Sequence, residues 1–82
     1  MSAAIKRMSD MSVHECGKVV SIKHGKAMEK RLRELGLIEG TYIECTVRSP
    51  HGDMAAFLVR GACIALRNSD SEKILCSCDS VH

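Results

Sequence analysis

Two cysteines near the C-terminus are the residues of this sequence best suited to metal chemistry. Cys76 and Cys78 stand one residue apart, His82 follows them, and thiolate and imidazole groups are soft ligands for a metal ion. In a strand both thiols would project to the same face, whereas zinc sites usually leave about two to four residues between paired cysteines. We therefore interpret these residues as core or edge thiols and predict neither a metal site nor a bound cofactor. A small metal carrier that uses these thiols stays an alternative.

The other cysteines and histidines predict packing and surface positions. The three remaining cysteines fall on predicted strands or beside them, where a buried thiol behaves as a small hydrophobic group. The three remaining histidines lie in predicted loops, with no acidic or cysteine partner at ligand spacing, which is typical of surface histidines. These residues are Cys16, Cys45, Cys63, His14, His24 and His51.

Composition and motifs exclude several classes of function. The sequence has no phosphate-cradling glycine loop, nucleophile elbow or paired-carboxylate constellation, so we predict that the protein is not an enzyme. Phe57 and Tyr42 are the only aromatic residues, which argues against a nucleic-acid reader that stacks bases. Twelve basic and ten acidic residues interleave to a net charge of +2, so no nucleic acid partner is expected.

The sequence also predicts where the protein works. The first seven residues lack the run of about 7–15 apolar residues of a signal peptide, and no run of about 18 could span a bilayer. Five cysteines form an odd set, which favours reduced thiols over a secreted disulfide framework. We expect a soluble, cytoplasmic protein without membrane insertion.

The segment 28–41 organises the chain, because it predicts most of a helix over about 26–35, the end of that helix and the start of the next strand. Its apolar residues recur at i, i+4 and i+7, which places them on one stripe that should pack against a sheet. Basic residues occupy the opposite face, where they are solvated or meet a partner. The stripe is Met28, Leu32 and Leu35, and the basic residues are Lys26, Lys30 and Arg33.

The end of this helix predicts a second candidate contact. Gly36 suits the left-handed position after a helix end, and Leu37 would then fold back onto Leu32 in a Schellman cap. Ile38 follows, and it either covers one end of the sheet or meets a partner. The candidate partner-binding residues are therefore Lys26, Lys30, Arg33, Leu37 and Ile38.

Alternation of apolar and polar residues predicts five short strands, at 18–23, 42–48, 54–59, 62–66 and 73–78. The second should bury Ile43, Cys45 and Val47, and in the first Val20 and Ile22 should share a face. In the third, Ala55, Phe57 and Val59 should share a face, and Arg60-Gly61 should form a tight hairpin turn to the fourth. We predict a mostly β domain, a small five-stranded SH3-like barrel with one α-helix inserted between strands 1 and 2. Residues 1–82 form a single domain in which 1–7 and 79–82 fray.

Several motifs together carry a resemblance to a known family. They are Gly17 with Val19-Val20-Ser21-Ile22, the run Arg31-Leu32-Arg33-Glu34-Leu35-Gly36-Leu37-Ile38-Glu39-Gly40-Thr41, then Pro50-His51-Gly52-Asp53, Val59-Arg60-Gly61 and Ile64-Ala65-Leu66-Arg67. Over roughly residues 8–76 the combination resembles the FeoA family of ferrous iron transport proteins. Departures fall outside the helix: Met54 stands where the family usually has proline, and the turn before Gly17 lacks the usual proline.

The resemblance implies a function that composition alone does not. It implies an SH3-like barrel and a cytoplasmic accessory role beside FeoB, a membrane permease whose cytoplasmic region binds GTP. We expect an adaptor that docks on the permease and modulates its GTPase or transport cycle. The same module occurs in iron-dependent repressors, so a repressor-associated SH3-like module is an alternative.

Overall fold

The computed structural model of the chain describes residues 3–23 and 25–79. Within them lie six strands, a nine-residue helix and two short helical turns. A 3₁₀ turn at Met8–Asp10 follows the first strand. The longer elements are β1 (Ala3–Arg7), β2 (Cys16–Ile22), α1 (Lys26–Glu34), β3 (Tyr42–Arg48), β4 (Met54–Val59), β5 (Ala62–Arg67), α2 (Asn68–Ser71) and β6 (Ile74–Asp79).

All six strands form one antiparallel sheet in the order β1-β6-β2-β3-β4-β5. The hydrogen-bonded sheet is mostly β as predicted, but it is not closed, because β1 and β5 end it at two free edges. The predicted count of five strands is wrong, and α1 connects the second strand to the third. None of the described helices has the length and apolar character needed to cross a membrane.

Strand β1 is the element that the sequence analysis missed. Residues 3–7 were expected to fray, yet they pair with β6 from Ala3 opposite Asp79 to Arg7 opposite Leu75. The segment is too short and polar to predict a strand by itself, and its order comes from the neighbouring strand. Asp79 likewise belongs to β6, while the predicted fraying of 80–82 falls outside the described residues.

The core lies between one face of the sheet and α1. Ala55, Phe57 and Val59 alternate inward along β4 and are buried, which confirms the predicted phase of this strand. The tight turn at 60–61 joins β4 to β5 as predicted, with both residues at positive φ. Other buried residues are Met8, Met11, Val19, Leu32, Leu37, Ile43, Cys45, Leu66, Ile74, Cys76 and Cys78.

Two β-bulges shift the side-chain alternation that the sequence predicted. The register shifts between Cys45 and Val47, so Val47 leaves the buried face and is 58% exposed. A second shift follows Val19, which is buried, whereas Val20 lies at the surface. A bulge adds one residue to a strand and turns the residues beyond it to the other face, and simple alternation does not reveal it.

Fewer residues of the predicted apolar stripe are buried than the sequence spacing indicates. Leu32 is 1% exposed and enters the core, and Met28 packs against its edge. Leu35 was predicted to be buried, but it is 40% exposed. At about 100° per residue, Leu35 and Met28 lie to one side of Leu32, so Leu32 alone points directly into the core.

Candidate partner-binding grooves beside helix α1

A Schellman cap ends α1 and sets the direction of the chain that follows. The Leu37 amide donates to the Leu32 carbonyl at 2.8 Å and the Gly36 amide donates to the Arg33 carbonyl at 2.9 Å. Gly36 has a φ of +88°, and a Cβ there would lie 2.9 Å from Cδ of Arg60. The predicted cap is confirmed, and it returns Leu37 to the core.

Thr41 fixes the turn between α1 and β3. Its buried hydroxyl donates to the Gly36 carbonyl at 3.0 Å and accepts a hydrogen bond from the Ile38 amide at 3.3 Å. The Val19 amide donates to the Thr41 carbonyl, which ties the turn to β2. Sequence reasoning treated Thr41 only as part of a turn, but its contacts hold Ile38 at the surface, 39% exposed.

A groove of about 400 Å³ lies along the flank of α1 that faces the end of β2. We call it the α1–β2 groove, and it is lined by Ile22, Glu29, Arg33, Leu37, Ile38 and Glu39. Three apolar side chains and three charged ones share this lining. Arg33 donates to Oε1 of Glu29 at 3.0 Å, one helical turn away, so the polar rim is partly organised already.

The predicted partner-binding residues separate into two groups in the structure. Arg33, Leu37 and Ile38 meet in the α1–β2 groove. Lys26 and Lys30 are exposed on α1 outside this lining, and neither forms an ion pair with another described residue. Sequence reasoning missed Ile22, Glu29 and Glu39 as part of the groove. Glu29 lies one helical turn before Arg33 and Glu39 follows Ile38, so spacing could have indicated both, whereas only tertiary packing brings Ile22 of β2 to the helix.

A second groove, of about 460 Å³, lies on the opposite flank of α1. We call it the α1–β5 groove, because Met28 and Arg31 of α1 lie on one side of it and Ala65 and Arg67 of β5 on the other. The rest of its lining is Leu32, the C-cap residue Leu35, Met54, Leu66, Ser69 and Asp70. Helix α1 therefore stands between two grooves, anchored in the core by Leu32.

The cysteines divide into buried and exposed thiols. Cys76 and Cys78 point into the core, and burial, followed by the effects of Cys78 and Glu15, raises the pKa of Cys76 to about 12. A Cβ at Gly17 would lie 2.7 Å from Sγ of Cys78, so β2 passes close over these thiols. Cys76 and Cys78 are 0% and 1% exposed, so both thiols are packed inside the core, which does not favour the carrier alternative.

Other predicted thiol and imidazole positions have mixed outcomes. Cys45 is buried as predicted, but Cys16 and Cys63 were assigned to packing and are exposed. His14 and His51 lie at the surface, and Nδ1 of His14 is 3.7 Å from a carboxylate oxygen of Glu44. Within residues 3–23 and 25–79, no group of three potential ligands is placed to hold a metal ion. His24 and His82 fall outside the described residues.

The single antiparallel sheet and the capped helix packed on it define a small, mostly β domain of SH3-like kind. A family profile for the FeoA domain matches residues 6–78. The chain belongs to the FeoA family, which confirms the resemblance drawn from its motifs. The comparison with curated protein sequences found no match.

Solved structures show the same fold. An FeoA-like protein from Clostridium acetobutylicum has a TM-score of 0.83 at 23% identity, covering 100% of this chain and 93% of that one. The FeoA protein from Chlorobium tepidum has a TM-score of 0.84 at 24% identity, with 93% and 75% covered. T. acidophilum IdeR has a TM-score of 0.82 at 21% identity, where 93% of this chain matches 35% of that one.

Proposed function

We propose that the protein is a non-enzymatic, cytoplasmic accessory protein of ferrous iron uptake. It docks on the cytoplasmic, GTP-binding region of a FeoB-type membrane permease and modulates the GTPase or transport cycle of that permease. Membership of the FeoA family supports the link to iron transport. The observation that carries the docking proposal is the α1–β2 groove, which unites Arg33, Leu37 and Ile38 on one surface.

The groove has the properties of a protein-docking surface. Leu37 is buried and Ile38 is half-exposed beside it, so an apolar side chain of the partner would remove further apolar area from water. Arg33 and its partner Glu29 supply a polar rim around this apolar floor, an arrangement found in protein interfaces. The Schellman cap and Thr41 hold the floor in place before the partner arrives, which lowers the ordering cost of binding.

Ile38→Asp tests this site directly. We expect it to weaken binding to the isolated cytoplasmic region of the permease by at least about tenfold, because it places a charge in the apolar floor. The matched control is Ile5→Asp, which changes the same residue type on β1 at a site that is 60% exposed. Binding is measured by calorimetric titration, and circular dichroism verifies that both variants are folded.

The proposal requires that Ile38→Asp bind the permease region more weakly than Ile5→Asp does. Wild-type affinity in Ile38→Asp would exclude the α1–β2 groove as the docking site. No binding of the wild-type protein, with or without guanine nucleotide on the permease region, would overturn the docking function itself.

A repressor-associated module is the second candidate. The likeness to IdeR supports it at the level of the fold. A pull-down from cell extract separates the two candidates, because an adaptor is retained with the membrane permease and a repressor-associated module with a DNA-binding protein. Retention of the DNA-binding protein alone would favour the second candidate.

A further inference from the structure

Strand β5 leaves backbone hydrogen-bonding groups at an open edge of the sheet. The two-residue turn at 60–61 makes the first pair of the hairpin a hydrogen-bonded one, so alternate residues of β5 direct their backbone groups to β4. Cys63 and Ala65 lie between those residues, and their N–H and C=O groups point to the edge. Within residues 3–23 and 25–79, no further strand pairs with that edge.

The two edges of the sheet differ in how they are protected. Strand β1 carries Lys6 and Arg7, and charged side chains on an edge strand disfavour pairing with another chain. Residues 62–66 of β5 contain neither a charge nor a proline. Arg67 is the one charged residue of β5 and ends the strand, so the edge along residues 62–66 can form new backbone hydrogen bonds with an added strand.

The α1–β5 groove lies beside this edge, and its size and net positive charge indicate what could bind there. Its volume of about 460 Å³ is in the range of binding clefts, roughly 300–1,000 Å³. Arg31 lies on the helix side of the groove and Arg67 on the strand side, and neither forms an ion pair with another described residue. Asp70 is the acidic residue of the lining, so the two guanidinium groups leave a net positive charge.

We propose that the α1–β5 groove binds an extended, acidic peptide segment that adds to β5 as a seventh strand. The peptide backbone pairs with the edge-facing groups of Cys63 and Ala65. Its apolar side chains contact Leu35 and its neighbours on α1, and its carboxylates pair with Arg31 and Arg67, because guanidinium groups bind carboxylates in bidentate geometry. This site lies on the flank of α1 opposite the α1–β2 groove and goes beyond the proposed docking function.

A single peptide fits this place better than a second copy of the protein. One added strand needs a width of about 4.8 Å beside β5. A second copy would have to bring the whole edge of its own sheet against α1, which borders the groove. The net positive lining also opposes an identical, positively charged surface and favours an acidic segment.

The probe is a blocked hexapeptide that alternates valine and glutamate, titrated against the full chain by fluorescence anisotropy and by amide NMR spectra. We expect saturable binding, with the amides of Cys63 and Ala65 shifted and protected from hydrogen exchange. Arg31→Glu with Arg67→Glu should lower the affinity at least tenfold, because it removes both cations. Lys18→Glu with Lys73→Glu makes the same change in net charge elsewhere and should keep the affinity within twofold.

Two N-methylated peptides separate strand addition from simple charge attraction. A bound strand uses the amides of alternate residues toward one neighbour. Methylation of only the valines or only the glutamates should therefore abolish binding in one case and preserve it in the other. The proposal would be overturned if the two methylated peptides bound equally well or if the unmodified peptide did not bind. Equal losses of peptide affinity in the two double variants would also overturn it. Tighter binding of an oligothymidine would do the same and assign the groove to nucleic acid.

The outcomes are independent of the docking function. Ile38→Asp should bind the peptide with wild-type affinity, while the Arg31 and Arg67 double variant should still bind the permease region. Loss of peptide binding alone therefore concerns only the α1–β5 groove.

Discussion

Leu32 is the residue of α1 that reaches the core, whereas Leu35, the C-cap residue of the helix, is 40% exposed. Leu32→Ala should lower the free energy of unfolding by about 2–5 kcal/mol, since it removes buried methyl groups and leaves a cavity. Leu35→Ala should cost less than about 1.5 kcal/mol, because that side chain is 40% exposed. Urea denaturation of the two variants measures the difference, and equal losses would contradict the helix orientation.

Gly36 and Thr41 have a different role from Leu32. They set the direction of the chain after α1 and bury little apolar area. Gly36 allows the left-handed turn at φ +88°, and the Thr41 hydroxyl binds the backbone on both sides of it. Together they place Leu37 in the core and Ile38 at the surface. The proposed docking residues are therefore positioned by two small residues that do not line the groove.

At the scale of elements, α1 presents three distinct surfaces. Leu32 faces the core, one flank borders the α1–β2 groove and the other borders the α1–β5 groove. Lys26 and Lys30 remain exposed on the helix. Arg33 no longer belongs with them, because its guanidinium is paired with Glu29 in the groove.

Lys26→Glu with Lys30→Glu should slow association with the permease region and leave dissociation nearly unchanged. Charges beside an interface steer the encounter of two proteins. Salt weakens this steering, because at an ionic strength of 0.1 M it screens charges that are more than about 10 Å apart. Stopped-flow association at two salt concentrations measures this, with Lys18→Glu and Lys73→Glu as the control of equal charge. The difference between the two double variants should shrink at high salt. A reduction in association rate that stays the same at high salt would mean that these lysines do not act by steering.

At the scale of the whole molecule, the ion pair of Lys6 with Glu15 joins the first strand to the loop before β2. Nζ of Lys6 lies 2.9 Å from Oε2 of Glu15, and the Ser12 amide donates to the other carboxylate oxygen at 2.8 Å. Burial by itself raises the pKa of Glu15, but the hydrogen bonds from Ser12 and Lys6 outweigh it and hold the pKa below the usual value of 4.5. The side-chain hydrogen bond that Lys6 donates to Glu15 in turn raises the pKa of Lys6.

A carboxyl group with a lower pKa in the folded state stabilises the fold above its unfolded pKa and loses this effect as pH falls. Glu15→Gln should therefore be less stable than wild type at pH 7, and the two should converge as pH falls below about 4.5. Lys6→Met removes the same ion pair, so its stability should approach that of the wild type over the same pH range. Urea denaturation across pH 7 to 3 measures this, and a difference that stays constant would show that the ion pair does not contribute.

Local signals in the sequence determined the parts of the fold that depend on neighbouring residues. The spacing of Met28 and Leu32 predicts α1, Gly36 predicts its end, and the turn at 60–61 predicts the hairpin. Each of these patterns lies within about ten residues, so its physical cause is present in the chain before it folds. The motifs of the same segments also carry the FeoA resemblance, which the family profile confirms over residues 6–78.

Tertiary structure alone decided the features that depend on distant partners. Strand β1 is ordered by β6, which lies at the other end of the chain, and the bulge before Val47 is defined by pairing with β4. Packing left Leu35 at the surface, 40% exposed, although its spacing places it on the same stripe as Leu32. The two grooves likewise exist only after α1 packs on the sheet. The walls of the α1–β5 groove come from segments far apart in sequence, and Ile22 meets α1 in the other groove only through this packing. Periodicity reports which face of an element is apolar, and only packing determines how much of that face is covered.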